Sequence, residues 1–478
     1  MLESGKTRVA EGGGVVSEEQ FRADTVTTLR PKNDKRDAIG VVQRGAVFVA
    51  STDPDLLRSV LDRWDGAPIT RPPAGEEQDA IAADGLAAVR YAEPLEKKRA
   101  FASSLRECLI GRDEPPQVIA FADPIGLFRA NSSNNMGLRM ALAMLPKLGV
   151  DSIEGGASAM WLATEKWDSL MRAHLLIDNP RTGAVRIVRL GQGDLTPPEC
   201  VPTSVASYVT MYTEPQQVFE DIEQVVDHFT SEGRFREMVK NRVSKPLDLD
   251  FPSEMLPLFT GRVTLVGAMD AETESIQNFT FTILEVNDEE KTWEVLKKVV
   301  AKSPEFLGKP VEKTFGETRY LAVEREDGKR LPGPWADATP VYAVLGGAWV
   351  SGFSESILKS LIEAQEGTSP RLRDSLQFKV VESRVRRLAG EHQVGVLVYG
   401  NPEASLRHWR RLADSPDTIG RLENAKNPVA NAMIKALQAG ELPPFERLSK
   451  YFTPNGSVIY DTPTGFHYIS FQFRPTLD

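Results

Sequence analysis

Cysteine is nearly missing from this chain: Cys108 and Cys200 are the two in 478 residues. That excludes a disulfide scaffold and any four-cysteine metal site, and leaves open either one bridge or two free thiols. Histidine is almost as scarce. His174, His228, His392, His408 and His467 are scattered, and none falls in an H-x-x-x-H or H-E-x-x-H pattern, so no metal site is expected. Long apolar runs are absent too: nothing approaches the roughly 18 residues a spanning helix needs, so no transmembrane segment is expected in this chain. The opening MLESGKTRVAEGGGVVSEEQF has no apolar core between a basic start and a cleavage site, which excludes a signal peptide. Taken as it stands, the chain reads as cytoplasmic. A basic excess is lacking, with 57 Lys and Arg against 67 Asp and Glu and a net charge of −10. No basic stripe with interleaved aromatics occurs, so nucleic acid is not an expected partner. G-x-G-x-x-G, G-x-x-x-x-G-K-[ST] and G-x-S-x-G are all absent, and neither a cofactor nor a catalytic residue is expected.

What is present is an ordinary globular composition, 41% hydrophobic and 26% charged, carrying an internal repeat. Residues 38–62, AIGVVQRGAVFVASTDPDLLRSVLD, parallel 341–363, VYAVLGGAWVSGFSESILKSLIE. Each has two alternating apolar runs around a tight turn, at Arg44-Gly45 or Gly346-Gly347, which predicts a hairpin. Each then has a helix, with Leu56, Leu57, Val60 and Leu61 matching Ile357, Leu358, Leu361 and Ile362 on one face. Downstream, AAVRYAEP at 87–94 parallels VGVLVYGNP at 394–402, and VIAFADP at 118–124 competes for the same alignment. Both copies close on a glycine and two strand-like runs. Gly45 stands as far from Gly155 as Gly347 does from Gly456, to within one position.

The spacing predicts this organisation: residues 1–36 form a flexible polar arm with one short strand near Val26–Leu29, 37–196 a first, incomplete module, and 197–478 a second. The second divides into a front half, 205–338, and a rear half, 339–478. The Gly- and Pro-rich stretch 191–204, GQGDLTPPECVPTS, is the expected boundary. The front half opens VASYVTMYTEP and continues in a helix with Val218, Phe219, Ile222, Val225, Val226 and Phe229 on one face. The expected fold class is α+β: tandem repeated units of mostly antiparallel sheet with helices packed on one face. A doubly wound parallel sheet is the alternative, and the hairpins argue against it.

Few residues suggest chemistry. Asp53-Pro54, Glu93-Pro94, Asp123-Pro124 and Glu214-Pro215 pair an acid with proline between strand and helix. Capping explains them better than acid catalysis, because Asn401 replaces the acid in one copy. Ser354 is expected to cap the helix of the second hairpin. Ser356-Ile-Leu-Lys359 matches S-x-x-K, but its partner motifs are absent, and Asp55 and Arg58 hold the equivalent places in the repeat. His228 reads as a polar-edge residue and His467 as a strand-face residue. Trp161, Trp167, Trp293, Trp349 and Trp409 read as core. Trp335, inside LPGPWADATP, is the one tryptophan whose loop position leaves a ligand or partner role open.

The strand–proline–helix and leucine–proline landmarks, the glycine-led strands and the ending LPPFERLSKYFTPNGSVIYDTPTGFHYISFQFRP resemble a large family of uncharacterised bacterial proteins with a domain of unknown function. The resemblance covers residues 38–478 and brings no catalytic residues. It implies export or membrane anchoring, and so a non-enzymatic envelope protein with a structural, assembly or partner-binding role. This chain departs from the pattern in lacking an export signal and a first front half. A start upstream of Met1 would restore both, and would make the protein periplasmic or membrane-associated. Two other readings stand: a soluble binding module for a small apolar or peptide ligand, and a hydrolase with an unrecognised site.

Overall fold

Alternating apolar residues along the chain become antiparallel strands, and proline or a capping side chain after a strand starts the next helix. The computed structural model describes residues 2–32, 38–45, 47–66, 94–131, 136–269, 278–302, 308–325, 338–413, 435 and 443–475. They form two compact units, one of residues 1–98 with 126–140, the other of residues 99–125 with 141–478.

The first unit has a helix, Leu2–Glu11, then β1 (Val15–Phe21), β2 (Asp24–Arg30), β3 (Ile39–Arg44) and β4 (Val47–Ser51), then a helix, Pro54–Trp64. The strands pair in sequence order, each antiparallel to the next. Val26, Val42, Leu57 and Leu61 form its small core, with Phe21 and Val49 against it. Arg44 joins three elements, pairing with Asp24 at the start of β2 and with Asp65 just beyond the helix. The segment expected as an arm with one strand thus carries a helix and a full hairpin, Val15↔Arg30 through Phe21↔Asp24. Its strands are rich in Ser, Thr, Glu and Gln. Hairpin pairing and the few inward residues hold them, with little of the apolar alternation that marks a strand in sequence.

The second unit is built on one antiparallel sheet of thirteen strands. In chain order they are β5 (Val118–Ala122), β6 (Ile153–Leu162), β7 (Trp167–Ile177), β8 (Ser207–Tyr212), β9 (Phe259–Met269), β10 (Asn278–Val286) and β11 (Lys309–Phe315). There follow β12 (Thr318–Glu324), β13 (Val341–Leu345), β14 (Ala348–Gly352), β15 (Val394–Gly400), β16 (Asn455–Thr462) and β17 (Gly465–Phe473). Their order across the sheet is β11-β12-β13-β14-β10-β9-β8-β15-β16-β17-β7-β6-β5. Every pairing is antiparallel, which rules out the doubly wound alternative for this unit.

Helices cover both faces of this sheet at β12–β14, not one face as expected. Tyr320, Ala322, Val341 and Ala343 pack with the helix Glu355–Gln365, through Ile357, Leu358, Leu361 and Ile362. The alternate residues Leu321, Val323, Tyr342 and Val344 pack with Trp293, Leu296 and Val300 of the helix Glu289–Ala301. The continuous apolar run Tyr320–Val323, buried at all four positions, is the mark of a strand covered twice.

The expected boundary at 191–204 does not divide the sheet. β7, before it, pairs with β17 at the end of the described chain, from Gly465↔Leu176 to Phe473↔Trp167. The stretch itself is tied down: Leu195, Cys200 and Val201 are buried, the Leu372 amide donates to the Val201 carbonyl (2.8 Å), and Tyr208 Oη donates to the Leu195 carbonyl (3.0 Å). Glycine and proline kept it out of regular structure, but its apolar residues still joined the core.

Candidate functional site

The most ligand-like feature lies beside the helix Pro215–Phe229. Pro215 sets the first turn, and the apolar stripe of the helix faces the sheet. Phe219 is buried, while Val218 and Ile222 remain only partly covered. They form one wall of an apolar groove of about 300 Å³; Phe259 and Val263 of β9 and Leu284 of β10 form another. Phe251 and Leu256 close an end. Phe219 meets the rings of Phe235 and Phe251 at 5.1 and 6.0 Å, and Arg236, paired with Glu223, stands over its face at 5.6 Å.

Two features of the backbone shape the groove. Gly261 of β9 has φ +103, and a Cβ there would lie 2.0 Å from the Thr213 carbonyl oxygen, so glycine lets the strand touch the turn before the helix. Residues 240–244 and 251–255 form π-helical turns, an uncommon geometry concentrated at functional sites, and the second carries Phe251. Arg262, 7% exposed, brings the one charge to the lining. Its guanidinium donates to the Thr196 carbonyl, approaches Tyr208 Oη at 3.4 Å and lies 3.8 Å from Glu285. The groove therefore suits an apolar group, with polar recognition confined to one side.

A second cluster is polar and buried. His174 of β7 and His467 of β17 face each other in register, their Nδ1 atoms 3.4 Å apart, and Thr464 Oγ1 lies 3.3 Å from His174 Nε2. Tyr460 lies beside His467, with ring centroids 5.2 Å apart, and His392 stacks on Tyr460 at 4.5 Å. Burial, reinforced by His174, Arg172 and His392, pushes the His467 imidazole down to about 3. Burial also lowers His174 and raises the Cys108 thiol to about 11 and Tyr460 to about 12. His467, Cys108 and Tyr460 are thereby neutral at pH 7, and the lowering of His174 favours its neutral form. Cys108 and Cys200 are free and buried, and among the described residues no group of three His, Cys, Asp or Glu could hold a metal. The cross-strand histidine pair is packed in the core; a pKa this low makes His467 a weak base, and Cys108 stays a thiol.

The other sequence candidates fall into place separately. Trp335 and Glu93 lie outside the described residues, as does the side chain of Trp409. Trp161, Trp167, Trp293 and Trp349 are buried. Asp53 and Asn401 cap their helices, accepting from the Leu56 amide (3.3 Å) and the Ala404 amide (3.4 Å). Ser354 accepts from the Ile357 amide (3.2 Å). Glu214 does not cap with its side chain; there the fixed φ of Pro215 does the work of starting the helix. Lys359 of the S-x-x-K match is paired with Glu355 at 3.2 Å, and Ser356 Oγ lies 3.1 Å from Ser354 Oγ. His228 is exposed at the helix edge. Glu154 is raised by burial and by Asp178 beside it, with Arg99 bridging both carboxylates, and it lines no part of the groove. The groove was missed in the sequence because its walls come from segments some 70 positions apart in a strand, a helix and an irregular turn. Only the stripe Val218–Phe229 hinted at it.

No helix among the described residues is long and apolar enough to cross a membrane. No family model matches the chain, and no similar curated protein or solved structure was found.

Proposed function

We propose that the protein is a non-enzymatic binding protein of a bacterial envelope, assembled from repeated α+β blocks, whose groove takes an apolar group of a partner or a small apolar ligand. The single observation that carries the binding reading is the groove between the helix Pro215–Phe229 and β9: apolar apart from Arg262 and Thr213, with Val218 and Ile222 incompletely covered. The envelope setting rests on the resemblance of residues 38–478.

In this reading two kinds of block recur along the described chain, with the helices Arg99–Leu109 and Leu376–Ala389 outside both. Helix–four strands–helix occurs at 2–64 and 289–365, and strand–proline–helix–hairpin occurs at 118–177, 207–286 and 394–473. In this division Pro124, rather than Pro94, is the counterpart of Pro215 and Pro402, and the blocks begin and end at places other than those expected from spacing alone.

Titration with an environment-sensitive apolar dye, anilinonaphthalene sulfonate, tests the binding reading. One saturable site is expected, and Ile222→Trp, which fills the groove, should abolish it while circular dichroism stays the same. Unchanged dye binding in a folded Ile222→Trp would overturn the reading.

A further inference from the structure

Among the described residues, the thirteen-stranded sheet ends in two margins that are built differently. β11, at one margin, reads Lys-Pro-Val-Glu-Lys-Thr-Phe, with proline and charges of the kind that discourage another strand from pairing. β5, at the other, reads Val-Ile-Ala-Phe-Ala. It carries no charge, and Val118 and Ile119 are 46% and 49% exposed. An uncharged, apolar sheet margin is a ready template for an added strand.

The chain itself shows what kind of strand fits. β5, β8 and β15 are the opening strands of the three strand–proline–helix–hairpin segments, and β8 and β15 are paired with each other, antiparallel. Counting back from the proline of each segment reveals a local twofold axis. Leu397 opposes Thr210, each five residues before its proline, Pro402 or Pro215. Val396 opposes Met211 and Val398 opposes Val209, so the sixth residue on one strand meets the fourth on the other, in both directions. An arrangement in which equivalent positions exchange places is what a symmetric pair of identical strands adopts. In β5 the residue five before Pro124 is Ile119.

We infer that β5 is a self-association edge: it pairs antiparallel with β5 of a second copy of this chain, with Ile119 opposite its own counterpart on the twofold axis and Val118 opposite Ala120. The inference uses the block division proposed above but not the groove. Both Cys108 and Cys200 are buried, so a new thiol on β5 would report its own neighbours. The pairing is short, and the dimer is expected to be weak, with a dissociation constant on the order of micromolar.

Sedimentation of the full chain over a concentration series tests it, together with cross-linking of two single-cysteine additions. The expected result is a concentration-dependent dimer that Ile119→Lys converts to monomer, with unchanged circular dichroism and melting temperature. Ile119→Cys should form a disulfide-linked dimer on mild oxidation. Val118→Cys should not, since two residues displaced by one pair on either side of the axis lie beyond the roughly 7 Å Cα separation a disulfide tolerates. A wild type that stays monomeric at its highest attainable concentration overturns the inference, as does a dimer in which Ile119→Cys fails to cross-link. Should Ile119→Lys not fold, the Ile119→Cys and Val118→Cys pair decides alone. Dye binding to the groove, measured on the same samples, reports separately on the binding reading.

Discussion

His467 is a side chain whose ordinary chemistry has been suppressed by its surroundings. Its pKa in the folded chain is about 3, well below the usual 6.5, because burial and the neighbouring cationic or histidine groups disfavour the imidazolium. Between those two values the unfolded chain binds a proton that the folded chain refuses, so stability rises with pH across the window. Stability is complete above about pH 6.5 and declines as pH falls toward 3, by an amount on the order of a few kcal/mol. Urea unfolding at pH 7 and pH 4.5 should show this loss, and His467→Asn should make it smaller. An equal loss in that variant would place the sensitivity elsewhere. At Gly261 the constraint is steric: φ is positive and the Thr213 carbonyl occupies the space of a side chain. Gly261→Ala is expected to cost roughly 2 kcal/mol or more, read from the shift in urea midpoint.

At the scale of elements, the hairpin-plus-helix pattern gives the firmest prediction. Ser354 caps the helix Glu355–Gln365, whose Leu358, Leu361 and Ile362 are wholly buried. Ser354→Ala should therefore destabilise the chain by about 1 kcal/mol in chemical unfolding. These elements were legible in the sequence because period and turn chemistry agreed: hairpins at Gly45 and Gly346-Gly347, proline-started helices at 54, 215 and 402, and paired strands ahead of 177 and 473. The helix matched in the first copy buries Leu57 and Leu61 but leaves Leu56 half-exposed, so a shared pattern did not mean shared burial. β1 and the first residues of β2 escaped notice because hairpin pairing can hold a polar strand that periodicity cannot reveal. Helices on both faces of β12–β14 escaped it because a short apolar run is compatible with several kinds of burial. The groove escaped it almost entirely, being a property of how far the helix Pro215–Phe229 stands from β9.

The whole molecule divides its stability unevenly. Among the described residues, one unit rests on a core cluster of four buried residues with two partly buried neighbours, the other on two larger clusters. Small cores give small margins, so calorimetry is expected to resolve two transitions, the smaller at lower temperature. Leu61→Ala should lower the smaller one alone, and Leu358→Ala the larger one alone, each by roughly 2–5 kcal/mol. A single transition moved equally by both variants would mean the units unfold together. The division could not be read from composition: the Gly- and Pro-rich stretch that marks a boundary in sequence is bound into the larger unit, where Leu195, Cys200 and Val201 are buried.

β7 finds its neighbour β17 only across 293 positions, the separation of His174 and His467. During synthesis at about 5–20 residues per second, β7 would leave the ribosome roughly 15–60 s before the strand that covers it. Throughout that interval one margin of the nascent sheet is bare, with Leu170, Leu176 and the histidine site uncovered. β17 thus also protects β7 against aggregation, and ribosomes that stall before β17 should release chains that depend on chaperones.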